Sequence, residues 1–169
     1  MDVEVAIRER RTQKVFRPEP VPRELVDELL ERARWAPNHN LTNPWRFRWV
    51  GPASLAKLKA AAGPEAASKL DRAPTLVAAS QVRSEDPVQD EEDLCATACA
   101  VYAVLLAAHN RGLASYWRTP GVLRTAQGLA ALGIPSSERF VALIHLGWGR
   151  QEKAPPERLP EADYVSYLP

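Results

Sequence analysis

Leu94-Cys95-Ala96-Thr97-Ala98-Cys99-Ala100-Val101-Tyr102-Ala103-Val104-Leu105-Leu106-Ala107-Ala108-His109-Asn110-Arg111-Gly112 is the stretch on which the fold turns. The spacing predicts one long helix over about residues 89–111. Leu94, Ala98, Val101, Leu105 and Ala108 form one seam, and Cys95, Cys99, Tyr102 and Leu106 the next. Apolar residues occupy most of the circumference, so this helix must be covered on nearly every side. A chain of 169 residues can scarcely do that alone, and a second copy is the expected cover. Asn110-Arg111-Gly112 supplies the stop, because glycine readily takes the left-handed conformation that closes a helix.

Outward from this helix, the acidic run Glu85 to Asp93 suits its N-terminus through the backbone dipole. No histidine or further acid stands there at ligand spacing, so no metal site is expected. Pro74 to Ser80 and Arg139 to Gly147 read as strands buried on both faces, the latter carrying His145 as a satisfied core histidine. Trp45-Arg46-Phe47-Arg48-Trp49-Val50 alternates, which predicts a strand with Trp45, Phe47 and Trp49 turned inward. Leu113 to Gly121 reads as a strand running into a turn. Shorter helices are expected over residues 2–9, 22–36, 52–62 and 124–131, with Pro22 as a first helical residue and Pro37 as a stop. Cys95 and Cys99 read as core packing, since adjacent helical turns rarely offer disulfide geometry. The tail patch Tyr164 to Leu168 alternates but has little of its own chain to pack on.

Composition sets the bounds. With 46% hydrophobic and 25% charged residues, the sequence is ordinary globular material sized for one domain over residues 1–169. A net charge of only +1 makes any anion binding local and argues against a general nucleic-acid binder. The sequence has no run of eighteen apolar residues and no signal-peptide start, so a cytoplasmic protein without membrane attachment is expected. Neither a Gly-rich dinucleotide fingerprint, a phosphate-binding Walker loop, a nucleophile elbow nor a zinc spacing is present.

Two segments carry chemistry. Arg8-Glu9-Arg10-Arg11-Thr12-Gln13-Lys14-Val15-Phe16-Arg17 places five basic residues in ten positions. Run extended, it would put Arg10, Thr12 and Lys14 on one side and Arg11 on the other. Guanidinium forks, a hydroxyl and an ammonium suit a phosphate monoester, while a solvated basic terminus is the plainer reading. Ala36-Pro37-Asn38-His39-Asn40-Leu41-Thr42-Asn43-Pro44-Trp45 is a proline-bracketed loop crowded with short amides. It offers donors and acceptors to the edge of a planar ligand, or serves as a connector held by local side-chain bonds.

Together with Ser115-Tyr116-Trp117-Arg118-Thr119, the helix Cys95 to Leu113 and the strand Phe140 to Gly147, these segments resemble the nitroreductase family of flavin enzymes almost end to end, and its compact branch most. The resemblance implies an α+β, nitroreductase-like sandwich around a central antiparallel-rich sheet flanked by helices. It also implies a homodimer formed through the long helix, with Tyr164 to Leu168 exchanged as a strand between subunits. FMN would lie at the interface. Arg10, Arg11 and Thr12 would bind its phosphate and ribityl end from one subunit, while His39 and Asn43, with Pro37 and Asn38, would come from the other. Trp117, Arg118 and Thr119 would return to the first subunit's side of the flavin, and Lys14 would sit at the N1/O2 edge to stabilise the anionic reduced ring. The implied activity passes a hydride from NAD(P)H through FMN to a nitroaromatic, quinone or other small acceptor in a ping-pong cycle, with no side chain obliged to act as acid or base. Pro120 departs from the family's usual Trp-Arg-Thr-Gly or Trp-Arg-Ser-Gly turn and removes a backbone donor there. The alternative is an FMN carrier or sensor without efficient turnover.

Overall fold

The computed structural model describes residues 2–151 and 153–169. In chain order the elements are α1 (Val3–Glu9), α2 (Arg23–Ala33), β1 (Trp45–Trp49), α3 (Pro52–Ala67), β2 (Thr75–Val82), α4 (Pro87–Asn110), β3 (Ala114–Arg118), α5 (Ala126–Ala131) and β4 (Glu138–Gly147). The four strands pair antiparallel in the order β1-β2-β4-β3. This is the α+β, antiparallel arrangement expected from the sequence.

The sheet is central because strand alternation feeds two cores at once. Val77, Ala79, Ala142, Ile144 and Leu146 point to one face, where α2 and α4 supply Val26, Leu29, Ala100, Val101, Val104 and Leu105. Leu76, Ala78 and Leu143 point to the other, toward Leu58 of α3 and Leu123, Leu132 and Ile134 around α5. Fully burying such a side chain is worth roughly 1.5–3 kcal/mol, which is why the two middle strands are almost wholly apolar. At one end of the sheet several polar side chains are bonded in a set. Arg48 donates to Glu138 at 2.8 Å from each of two nitrogens and to Ser80 at 2.8 Å. Gln81 donates to Asp90 of α4, which also receives Arg139 at 2.6 Å. The acidic run therefore caps and clamps α4: Asp86 accepts from Val88 N–H and Asp90 ties the helix to β2 and β4.

Helix α4 ends as its sequence dictates. Gly112 has φ 72°, Gly112 N–H donates to His109 and Leu113 N–H to Ala108, the paired bonds of a glycine-closed helix. By length and composition alone α4 could cross a bilayer, but its line Ala96, Ala100, Val104 and Ala108 packs into the core, as in the central helix of a globular fold. Several expectations change here. Cys95 and Cys99 are free and exposed rather than core residues. Each precedes a core alanine by one position, and one residue turns an α-helix by about 100°. They share the outward strip of α4 with Tyr102. Trp49, at the end of the edge strand β1, is 39% exposed, whereas Trp45 and Phe47 pack on the core. His145 is buried on β4, yet both its ring nitrogens lack a hydrogen-bond partner among the described residues, so it is not a satisfied histidine. Residues 164–168 form no strand within the chain, and Tyr164, Tyr167 and Leu168 are exposed.

Helix α5 packs against the turn Gly121–Arg124 so closely that a side chain at Gly128 would have its Cβ 1.9 Å from the Val122 carbonyl oxygen. Gly128→Ala is therefore expected to lower stability by about 1–3 kcal/mol, read as a lower urea midpoint at unchanged m-value. A midpoint equal to wild type would show that α5 can slide freely over the turn.

Candidate functional site

The basic segment leaves α1 at Arg10, whose backbone (φ −55°, ψ 124°) turns the chain from helix to extended. Thr12 then lies beside Ser115 of β3 as a parallel bridge, and Gln13 N–H donates to the Ser115 carbonyl at 3.0 Å. Buried Phe16 bridges Gly149, and Arg17 N–H donates to Trp148 at 2.8 Å. Residues 12–17 thus line the free side of β3 and draw the chain after β4 to the same place, where Lys153 Nζ donates to the Thr12 carbonyl at 3.2 Å.

Between this segment, the last turn of α4 and the start of β3 lies a groove of about 710 Å³. Among the described residues its lining carries Arg10, Arg11, Arg17, Arg150 and Lys153 against the single carboxylate of Glu9, with Gln13, His109 and Ser115 completing the polar wall. Arg10 holds its guanidinium 5.8 Å from the Tyr102 ring centroid, and Arg11 folds back onto the carbonyls of Arg8 and Arg10. Even so, Arg10 Nε, Arg11 Nε, His109 Nε2 and Ser115 Oγ are buried without a hydrogen-bond partner among the described residues. Leaving a buried polar group unmet costs about 1–3 kcal/mol, and all four belong to residues lining one cationic groove, a setting that suits an anion with several acceptor oxygens. His109 is held below the usual imidazole range chiefly by burial, with Glu9 pulling the other way and Arg10 and Arg11 adding to the lowering.

The donor set read from alternation is only partly assembled. Arg10 and Arg11 share the groove, whereas exposed Thr12 is not among its lining residues and offers its carbonyl to Lys153. Lys14 lies apart from these two, 5.9 Å from the Tyr116 ring centroid and not among the residues lining the groove. The bend at Arg10 breaks the two-residue phase that extended backbone would impose. Trp117 and Arg118 likewise separate, since neighbouring strand residues face opposite ways. Trp117 packs on the α2/α4 core, Arg118 donates to the Lys69 carbonyl at 2.9 Å on the other side, and Thr119 is exposed.

The second predicted segment forms a separate cluster. Asn38 accepts from Asn43 N–H at 3.0 Å and donates to the Ala36 carbonyl, closing a ring behind exposed Pro37. Asn40, Leu41 and Asn43 all have positive φ (53°, 52° and 47°), a conformation non-glycine residues adopt at a cost. The loop holds it by gripping the first turns of α4: His39 Nδ1 lies 2.7 Å from Glu92, and Thr42 donates to buried Asp93. Glu92 precedes Tyr102, which stacks under Arg10, by ten positions and His109 of the groove by seventeen on one helix, roughly 15–26 Å of rise. One chain does not bring its His39 loop to its own groove.

The sequence reading missed His109, Ser115, Arg17, Arg150 and Lys153. Nothing local in the sequence marks the last two, because they reach the groove only through the pairing of Phe16 with Gly149. Among the described residues no cluster of histidine, cysteine or acidic side chains could hold a metal.

Residues 7–148 match the family model described as Nitroreductase family. YfhC of Bacillus subtilis (strain 168), whose name assigns it provisionally as an NAD(P)H nitroreductase, is 29% identical over 93% of this chain and 89% of its own length. The 5,6-dimethylbenzimidazole synthase of Rhodospirillum rubrum is 31% identical over 88% of this chain and 82% of its own. A Desulfovibrio desulfuricans protein, provisionally a nitroreductase and solved in complex with FMN, superposes with a TM-score of 0.84 at 27% identity, covering 100% of this chain and 98% of that one.

Proposed function

The chain belongs to the nitroreductase family, and on that premise we propose that it is an FMN-dependent oxidoreductase that passes a hydride from NAD(P)H to a small acceptor, a nitroaromatic or quinone, in a ping-pong cycle. The observation that carries the reading is the groove: two guanidinium nitrogens, an imidazole nitrogen and a hydroxyl, all buried and without a partner among the described residues, belong to side chains lining one cationic groove, a donor set suited to a phosphate monoester. FMN, when bound, supplies the redox chemistry. The protein's share is to hold and tune it. Arg10 and Arg11 neutralise the phosphate, Ser115 and His109 complete its hydrogen bonds, and Lys14, further along the same segment, places a positive charge at the ring end.

The unfilled half of the site fits a second copy of the chain. If two α4 helices pack antiparallel about a two-fold axis along Cys95, Cys99 and Tyr102, the start of one lies beside the end of the other. The His39 and Asn43 loop of one protomer then approaches its partner's groove, and the exposed tail of each chain is free to reach across. This also supplies the cover that the outward strip of α4 lacks.

Purified protein is expected to be yellow, to migrate as twice 18.7 kDa, and to bleach within seconds when NADH or NADPH is added without air, regaining its colour with a quinone. Bound flavin that stays oxidised under excess of both donors would leave only a carrier or sensor, and colourless monomer that takes up no FMN would end the reading.

A further inference from the structure

Taking the groove as a phosphate site, as the preceding reading does, we propose that His109 is a proton-coupled donor, taking up one proton from water when a dianion binds. Three observations place it there. His109 lines the groove with Arg10, Arg11 and Ser115, and its Nε2 is buried without a partner among the described residues. It stands in the last turn of α4, where the negative end of the helix dipole favours an imidazolium. Within the chain itself it is kept neutral, because burial and the Arg10 and Arg11 guanidiniums outweigh the pull of Glu9. The other charged groups lining the groove among the described residues, Arg17, Arg150 and Lys153, are also cationic. A dianion reverses that balance, since an opposite charge at contact distance favours the protonated ring. Protonated, Nε2 can only donate, which is what a phosphate oxygen requires. No bond of the ligand breaks. The proton comes from solvent, and the groove's charge rises by one as the dianion enters.

The test is histidine side-chain NMR of the purified protein across pH, alone, with sulfate, which stays a dianion throughout, and with FMN. His145, buried on β4 and outside the groove lining, serves as internal reference. The His109 midpoint is expected to rise in both complexes while His145 holds. Above the phosphate's own second pKa of about 6, the dissociation constant for FMN should weaken by up to about tenfold per pH unit as His109 deprotonates, the slope of one linked proton. His109→Gln, which donates without titrating, should bind FMN with a flat profile over that range. FMN bound with an unmoved His109 midpoint overturns the inference and leaves the flavin reading intact. A midpoint raised by sulfate in a protein that refuses FMN supports the inference and overturns the flavin reading. A midpoint moved by neither anion overturns the inference outright.

Discussion

With Arg10 and Arg11 both replaced by alanine, the protein should still fold but bind FMN about 10²–10⁴-fold more weakly, because each hydrogen bond to a charged group is worth roughly 1.5–3 kcal/mol. The folded state survives because neither guanidinium is salt-bridged to a carboxylate among the described residues. Removing them also takes away two buried nitrogens that have no partner among the described residues. The loss should be specific to the phosphate: riboflavin, which has the ring and ribityl chain but no anion, should bind the variant and the wild type alike. Fluorescence titration of flavin-stripped protein reads both. An FMN affinity within threefold of wild type would place the phosphate elsewhere.

Acid should act through His145. Burial, then Arg118, then Arg72, push its pKa from 6.5 down to about 3. The folded protein therefore refuses a proton that the unfolded chain accepts below pH 6.5, and stability falls as pH falls between those two values. The slope approaches 1.4 kcal/mol per pH unit and the total is on the order of 4–5 kcal/mol. Glu138 acts lower. Burial raises its pKa, but the bonds from Arg48 and Ser80, with the charges of Arg48 and Arg46, bring it net below 4.5. Its stabilising contribution is present above 4.5 and lost as pH drops through the lowered value. The interval from pH 4.5 to 6.5 thus excludes Glu138 and leaves His145 with His109, whose pKa is also lowered. His145→Leu should make urea midpoints fall less steeply across it and keep or improve stability at pH 7, since two buried nitrogens without a partner among the described residues disappear. Midpoints that fall as steeply in the leucine variant would assign the acid sensitivity to another group.

Periodicity made most of the fold legible. The apolar run of α4, the continuous strands β2 and β4 and the alternation of β1 each announce an element and a face. Phase was harder. Cys95 and Cys99 look like core by composition, and only the angular position of Ala96 and Ala100 shows which side of α4 meets the sheet. A dense basic run is local information, so Arg10 and Arg11 stand out in the sequence, whereas the turn at the end of α1 resets the alternation and parts Arg10 from Thr12 and Lys14. His109 and Lys153 were invisible for a different reason. The groove they line is made by three segments distant in the chain, and a strand pairing between residues 16 and 149 decides that they meet.

Helix α4 grips the His39 loop near its start and walls the groove near its end. An inserted or deleted residue between Asp93 and Tyr102 would swing everything beyond it by about 100° and 1.5 Å, so the two ends could no longer face their tasks together. Descendants of this gene can therefore exchange side chains along the rod far more freely than they can lengthen or shorten it. Viable change in chain length should collect in the connections outside it.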